Sequence, residues 1–190
     1  MIIRPFEEKD KENVRFICLN SEGPCRMTPD ESHYILTTYC NYYIENEGHN
    51  CFVAADEDDK AIGYIICTEN FDNFRETFLR DYVPRLDEKL IIWGFNARDG
   101  AKSSFRLQEK YKEEYPAHLH IDVLPEYHRR GLGHMLTDTL KKHLKEKGIR
   151  GVMLTVGAQN KVGQSFYNKY GFDFIEKSGD DIAFGLKFDV

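Results

Sequence analysis

The chain has 190 residues, of which 41% are hydrophobic and 31% charged, and its formal net charge is −6 at pH 7. This length is typical of one globular domain, and the acidic balance excludes a protein that binds nucleic acid through its overall charge. Because the first residues are charged and no apolar run approaches the roughly 20 residues that cross a bilayer, we expect a cytoplasmic protein without a signal peptide or membrane segment.

The first part of the chain predicts a strand, two helices and a hairpin. Residues 1–6 predict a short strand, and residues 8–20 a helix with Asp10 as its N-cap, because apolar residues recur there at helical spacing. Residues 29–46 predict a second helix. The segments NCFVAAD and KAIGYIICTE, joined by the acidic turn 56–59, predict a β-hairpin.

The segment 70–116 is rich in aromatic and charged residues and predicts two or three short helices. Beyond it, strands and helices alternate: HLHIDVL, a helix from about Gly131 to Gly148, GVMLTV, NKVGQSFYNKYG, FDFIE and DIAFGLKF. This alternation predicts an α/β domain with at least one parallel crossover. No repeat or linker divides the chain, so we interpret residues 1–190 as a single domain with 70–116 as a helical insertion.

The cysteines predict neither a disulfide framework nor a zinc site. They are odd in number and never in C-x-x-C spacing, which is typical of reduced thiols in a cytosolic protein: Cys18, Cys25, Cys40, Cys51 and Cys67. His118 and His120 share one face of a predicted strand, but no matching set of carboxylates or cysteines accompanies them. We therefore predict no metal.

The start of the helix near Gly131 breaks two local rules. Gly131 and Gly133 each cost about 1 kcal/mol relative to Ala, and Arg129 and Arg130 lie at the positive end of the helix dipole. Glycines let a ligand approach the backbone, and free N–H groups beside two arginines form an anion site. We interpret this as a polyphosphate site rather than a turn with surface arginines. Two common phosphate-binding motifs are excluded. The P-loop motif of nucleotide-binding proteins, G-x-x-x-x-G-K-S/T, is absent, and Leu136 stands where the dinucleotide-binding motif G-x-G-x-x-G has its third glycine.

Two motifs resemble a known family. V-x-P-x-x-x-x-x-G-x-G, from Val123 to Gly133, resembles the acetyl-CoA-binding motif of the GNAT superfamily of N-acetyltransferases, usually written Q/R-x-x-G-x-G/A, although the first position is His128 here. The family's later Asn, Phe-Tyr and Gly-Phe are matched by Asn160, Phe166-Tyr167 and Gly171-Phe172. The segment YPAHLHIDVLPEYHRRGLG also resembles the acetyltransferase-like domain of some protein O-N-acetylglucosaminidases.

The resemblance implies a fold and an acyl donor. The fold is a mixed, mostly antiparallel twisted sheet of about seven strands, flanked by helices and splayed between its fourth and fifth strands. The donor is acetyl-CoA, without a metal. The residues implied to hold it are the backbone near Val123, the loop and helix start with their N–H groups, and a side chain on the cofactor arm: His128, Arg129, Arg130, Gly131, Leu132, Gly133, His134 and Asn160.

The resemblance also implies direct attack of a primary amine, from a small molecule or a peptide, on the thioester. Tyr167 would protonate the departing thiolate. His120 is a candidate base, with a hydrogen-bonded buried histidine or a water chain as the alternatives. Residues 21–45 and 70–116 would form the acceptor pocket, although their aromatic residues fit a core better. We expect a monomer or homodimer that binds neither nucleic acid nor membranes. The alternative function is a catalytically inactive acetyltransferase-like binding module.

Overall fold

The computed structural model describes residues 1–21 and 27–189 and is built on a seven-stranded sheet. Its strands are β1 (Ile2–Pro5), β2 (Phe52–Ala55), β3 (Ala61–Thr68), β4 (Ala117–Val123), β5 (Gly151–Gly157), β6 (Asp173–Ser178) and β7 (Asp181–Lys187). The spatial order is β1-β2-β3-β4-β5-β7-β6. Neighbouring strands are antiparallel except β4 and β5, which are parallel. The expected mixed, mostly antiparallel sheet is confirmed.

Eight α-helices flank this sheet in the described part of the chain. They are α1 (Lys11–Asn20), α2 (Pro29–Tyr39), α3 (Asn41–Asn46), α4 (Phe71–Thr77), α5 (Ala97–Ser103), α6 (Arg106–Tyr111), α7 (Leu132–Glu146) and α8 (Lys161–Tyr170). None of the helices formed by the described residues is both long enough and apolar enough to cross a membrane.

For the N-terminal helices, one prediction is wrong and another is confirmed only in part. Residues 29–46 form two helices, because Cys40, with φ −129° and ψ −60°, leaves the helical conformation between α2 and α3. Asp10 occupies the predicted N-cap position of α1, but its side chain makes no capping hydrogen bond to that helix. Its carboxylate instead accepts hydrogen bonds from the Arg4 guanidinium (2.7 and 2.9 Å) and the Glu7 N–H (2.9 Å), which joins the first strand to the turn before α1.

The segment 70–116 holds the predicted short helices and one hairpin that the sequence did not indicate. Helix α4 continues into a π-helical turn (Phe78–Tyr82) and a 3₁₀ turn (Val83–Arg85), and a short hairpin before α5 pairs Ile91–Ile92 with Phe95–Asn96. Its turn residues, Trp93 (φ 48°) and Gly94 (φ 89°), both have positive φ, as a type I′ turn requires. The usual sequence signal for such a turn is Asn-Gly or Asp-Gly, so the pair Trp93-Gly94 did not predict it.

The two faces of the sheet carry different cores. One face packs against α1–α6, and on β4 it presents His118, His120 and Asp122 among mainly apolar and aromatic neighbours. The other face packs against α7 and α8. The predicted leucine stripe of α7 is buried against that face: Leu132, Leu136, Leu140 and Leu144. The chemistry-bearing side chains of β4 therefore face the helices of the N-terminal half and the insertion.

The sheet opens between β4 and β5, as expected. These strands pair only at Ala117 with Val152 and at His118 with Met153. Strand β4 is buried from Ala117 to Leu119 but partly exposed from His120 to Val123, although it lies in the middle of the sheet. A central strand exposed in this way marks a gap, and the predicted splay between the fourth and fifth strands is confirmed.

Candidate active site

The β4 edge of the gap presents backbone hydrogen-bonding groups. The Leu124 N–H donates to the Ile62 carbonyl (3.0 Å), which continues the antiparallel register of β3 and β4. Residues of an antiparallel strand alternate in which neighbour they bond, so Ile121 and Val123 direct their N–H and C=O groups away from β3. These groups therefore point into the gap.

The β5 edge does the same. The Ala158 N–H donates to the Asp180 carbonyl (2.7 Å), and the same alternation along β5 turns the backbone of Thr155 away from β7. Both edges of the gap thus offer ladder groups to an extended ligand arm that carries amide groups of its own. The arrangement fits a pantetheine-like chain inserted as an additional strand.

A loop at the end of β4 leads from the gap to the start of α7. It begins with a 3₁₀ turn, Pro125–Tyr127, and contains Arg129 (φ 60°) and Gly131 (φ 79°) in the left-handed region. Nothing lies within 4 Å of where a Gly131 Cβ would be, so its positive φ, rather than crowding, requires the glycine. The N–H groups of the first turn of α7 have no intrahelical partner and are available to an anion.

His128 braces this loop against β4. Its Nε2–H donates to the Val123 carbonyl (2.8 Å), and its backbone N–H donates to the Pro125 carbonyl (3.1 Å). The His128 N–H is therefore engaged inside the loop. A carbonyl oxygen has two lone pairs, so that of Val123 can still accept a second hydrogen bond from a ligand.

The remaining residues of the motif divide between surface and core. Arg129 and Arg130 are exposed, and the Arg130 guanidinium lies 5.2 Å from the centre of the Tyr127 ring. The Leu132 side chain is buried in the core, so only its backbone can meet a ligand. A Cβ on Gly133 would lie 3.1 Å from the Phe166 ring, so this glycine also allows α7 and α8 to approach closely.

Asn160 immediately precedes α8, and Tyr167 lies on that helix. Asn160 caps the helix, because its Oδ1 accepts a hydrogen bond from the Gly163 N–H (2.8 Å). The partly buried Tyr167 ring packs against Phe184 of β7. Burial raises the pKa of the Tyr167 phenol, and the nearby Asp122 carboxylate raises it further. Tyr167 therefore keeps its proton at neutral pH and can donate it.

A buried tyrosine joins the two histidines of β4. The Tyr43 hydroxyl lies 2.7 Å from His118 Nε2 and 3.0 Å from His120 Nε2. One hydroxyl hydrogen serves only one of them, so the other histidine donates to Tyr43. Burial lowers the pKa of His120 to about 4 and that of His118 well below its usual value, with the neighbouring His120 contributing to the shift of His118. Both imidazoles are neutral at pH 7.

Sequence reasoning did not single out Tyr43 or Tyr64. The Tyr64 hydroxyl donates to Asp122 Oδ2 (2.5 Å), as Tyr43 bonds the histidines. The alternation of His118, His120 and Asp122 on a strand that faces a core was a usable signal, because buried polar groups require partners. It did not say which residues supply them, since tyrosines on helices also fill cores.

The described cysteines are unpaired, and the described residues form no metal-ligating cluster. Cys18, Cys40, Cys51 and Cys67 are free thiols, whereas Cys25 lies outside the described residues. No group of three or more metal-ligating side chains forms within residues 1–21 and 27–189.

Curated relatives align with part of the chain. The spermidine N(1)-acetyltransferase of Thermoplasma acidophilum is 37% identical over 71 residues, which are 37% of this chain and 44% of that protein. The mycothiol acetyltransferase of Paenarthrobacter aurescens is 42% identical over 52 residues, which are 27% of this chain and 16% of that protein. The chain thus spans less than half the length of the curated relatives it matches.

Solved structures align with nearly all of the chain. A crystal structure of SsHAT superposes with a TM-score of 0.87 at 26% identity, covering 98% of this chain and 97% of that one. The PaiA N-acetyltransferase of Thermoplasma acidophilum, solved in complex with coenzyme A, has a TM-score of 0.62 at 22% identity, with 98% of each chain covered. At that identity the second similarity shows the fold alone.

The family model described as the acetyltransferase (GNAT) family matches residues 17–172. The match includes both strands that border the gap, the loop before α7 and all of α8, and it ends one residue before β6. The chain belongs to the GNAT acetyltransferase family.

Proposed function

We propose that the chain is an acetyl-CoA-dependent N-acetyltransferase that transfers the acetyl group to a primary amine by direct attack on the thioester. The observation that carries this proposal is the continuity of two features. The gap between β4 and β5 offers backbone groups to a pantetheine arm, and the loop that follows β4 offers N–H groups and arginines to a pyrophosphate. Acetyl-CoA has both parts in this order.

The donor would be held mainly by backbone. Val123 would pair with the pantetheine amides, and the N–H groups from Arg129 through Arg130, Gly131, Leu132 and Gly133 to His134 would surround the pyrophosphate. His128 would keep the loop in shape, since its own N–H is engaged. Asn160 would contact the arm beside the cap of α8. Gly131 supports this assignment through its positive φ and the open space around it.

Tyr167 would act as the general acid. A departing thiolate has a pKa of about 8.5, and protonating it removes charge from the leaving group. The Tyr167 phenol is protonated at neutral pH even at its ordinary pKa of about 10. Burial raises that pKa and weakens the phenol as an acid, so its proton would move only as the C–S bond breaks and negative charge develops on the sulfur. Its position on α8, facing the same region as Asp122 at the edge of the gap, supports this role.

His120 would accept a proton from the acceptor nitrogen after that nitrogen has attacked the thioester, rather than before the attack. With the His120 pKa lowered to about 4, moving a proton to it from an ammonium of pKa near 10 costs about 8 kcal/mol. We therefore propose that the acceptor reacts as its free amine. The second proton would leave once the nitrogen has bonded to the acetyl carbon and become far more acidic, and His120 and Tyr43 would pass it on.

The names of the two curated relatives point to different acceptors, spermidine in one and a mycothiol compound in the other, so we keep the acceptor as a primary amine of a small molecule or a peptide.

We further propose that the protein acts in the cytoplasm as a monomer or homodimer, with residues 1–190 as one domain and 70–116 as an insertion, and that it uses neither nucleic acid nor a membrane. The continuous sheet from β1 to β7 supports a single domain.

Acetyl-CoA binding tests the proposal. A ligand at 100 times its Kd adds about 2.7 kcal/mol, which corresponds to a rise in Tm of about 5–10 °C for a chain of this length. We expect this shift with acetyl-CoA and none with pantothenate, which lacks the pyrophosphate. No shift at millimolar acetyl-CoA would contradict the proposal. A shift without release of free thiol, across a panel of amines, would instead support the inactive binding module.

A further inference from the structure

Gln108 on α6 holds an unpaired polar atom inside the protein. The side chain is 2% exposed, and its Nε2 donates to Thr155 Oγ1 (3.2 Å). Its Oε1 is buried and has no hydrogen-bond partner among the described residues. Since a single hydroxyl can pair only one end of an amide, the other end lacks a partner in either orientation of the Gln108 side chain.

This amide lies beside the gap between β4 and β5. The last paired residues of these strands are His118 and Met153, so Thr155 lies two residues into the gap on β5, where His120 lies on β4. Both residues are partly exposed. Gln108 is therefore attached to the wall of the gap that faces His120.

Contacts of the turn before α6 place the start of that helix close to the histidines. Phe105, three residues before Gln108, has its ring centre 5.5 Å from that of His118 and 6.4 Å from that of His120. Ser104, four residues earlier, bonds Tyr39, whose ring lies 5.7 Å from His120. Gln108 follows within the first turn of α6, and its own hydrogen bond to Thr155 holds its side chain beside the gap.

The groups around this region are mostly neutral hydrogen-bonding or aromatic groups. A carboxylate on a ligand would meet the unpaired carbonyl oxygen of Gln108 and, at the edge of the gap, Asp122. A ligand N–H would supply the donor that this oxygen lacks. An unpaired buried oxygen opposes folding, so its presence beside a gap points to a ligand that pairs with it.

We propose that Gln108 is a specificity-determining residue for the acceptor: its Oε1 accepts a hydrogen bond from an N–H other than that of the reacting nitrogen. The acceptor class is then a primary amine that carries a second N–H donor, either a diamine or an amino amide. The reacting nitrogen lies at His120 and the second donor lies across the gap at Gln108. This inference rests on the proposed acetyltransferase function.

Four acceptors of similar length test the inference: putrescine, γ-aminobutyramide, γ-aminobutyrate and butylamine. For the wild type we expect kcat/KM to be at least about tenfold higher for the first two than for the last two, because they pair the buried oxygen. A preference for putrescine alone identifies a charged donor, and equal use of both donor compounds identifies N–H donation in general. Equal kcat/KM for butylamine and putrescine overturns the inference while the acetyltransferase function stands.

The variant Gln108→Met removes the amide with little change in volume. We expect the preference to fall to within about twofold, turnover of butylamine to be unchanged, and Tm to rise by about 2–4 °C because the unpaired oxygen is gone. Glu109→Met, on the exposed side of α6, serves as the control and should retain the preference. Equal losses for all four amines, or a lower Tm, would show a structural role and overturn the inference.

A second variant tests the same interaction if Gln108→Met fails to fold. Thr155→Val removes the hydroxyl that orients the amide, and we expect the same loss of preference. A wild type that acetylates none of the amines removes the proposed function and this inference with it, which is a result distinct from activity without preference.

Discussion

Tyr167 has a protonated phenol on α8 with the Asp122 carboxylate nearby, and we propose it above as the general acid. We expect Tyr167→Phe to lower the single-turnover rate by about 100-fold or more, the usual contribution of a general acid. The Kd of acetyl-CoA, measured by calorimetry, should change less than about twofold. The matched control is Tyr170→Phe, one turn further along α8, where the hydroxyl only bonds Asp138. An unchanged rate in Tyr167→Phe would remove Tyr167 from the acid role.

His120 makes stability depend on pH. Its pKa is about 4 in the folded protein and about 6.5 when unfolded. Between these values the unfolded chain binds more protons, so the free energy of unfolding falls as pH falls, by about 3 kcal/mol in total. His118 is shifted in the same direction. Urea titrations of the wild type and of His120→Phe from pH 6.5 to 5 should show a shallower loss in the variant. Equal slopes would mean that His120 titrates normally.

At this scale the sequence singled out candidate residues for the chemistry but not the partners that the structure gives them. The polar residues of β4 stand out because they alternate on a strand face that would otherwise be apolar. The Phe-Tyr pair of α8 stands out because it matches a family motif. Tyr43 and Tyr64 reach them across long stretches of sequence, and a tyrosine on a helix or strand resembles any other core aromatic. Partners set by tertiary packing leave no local signal.

Helix α7 is bounded by two glycines that serve as matched probes. Gly131 (φ 79°) precedes the helix and Gly148 (φ 73°) follows it, and neither has an atom within 4 Å of its Cβ position. Each Gly→Ala change should lower stability by about 1–2 kcal/mol, because an L-residue is strained at positive φ. We expect only Gly131→Ala to weaken acetyl-CoA binding, as measured by calorimetry, because it alone lies in the loop. Equal affinities in the two variants would exclude this loop from the donor site.

Elements with a strong period were predictable, and elements defined by one unusual residue were not. The leucine stripe of α7 and the alternation of the C-terminal strands follow directly from hydrophobic spacing. The break at Cys40 and the Trp93-Gly94 turn depend on single backbone conformations that packing against the core selects. The same limit applies to Asp10, whose strongest partner, Arg4, lies outside the helix it was expected to cap.

Across the whole molecule the charge is unevenly distributed. Residues 126–150 contain seven Lys and Arg against three Asp and Glu, a net charge of +4, so the remainder carries −10. The Kd of acetyl-CoA should therefore rise with salt, and Arg129→Ala should weaken binding and flatten that dependence. Lys142→Ala is the control for the same charge change, since it lies about 15 Å along α7 from the loop, beyond the Debye length. An effect of Lys142→Ala equal to that of Arg129→Ala would show that only overall charge matters.

The gap in the sheet has a consequence for the order of events. Beyond two residue pairs, strands β1–β4 and β5–β7 are not joined by a backbone ladder. A donor arm in the gap would complete the ladder, and its acetyl end would form one side of the region bounded by His120 and Thr155. The acceptor's binding surface is then finished only after the donor has entered. On the proposed function, we therefore expect the donor to bind first and the amine second, as a consequence of the sheet itself.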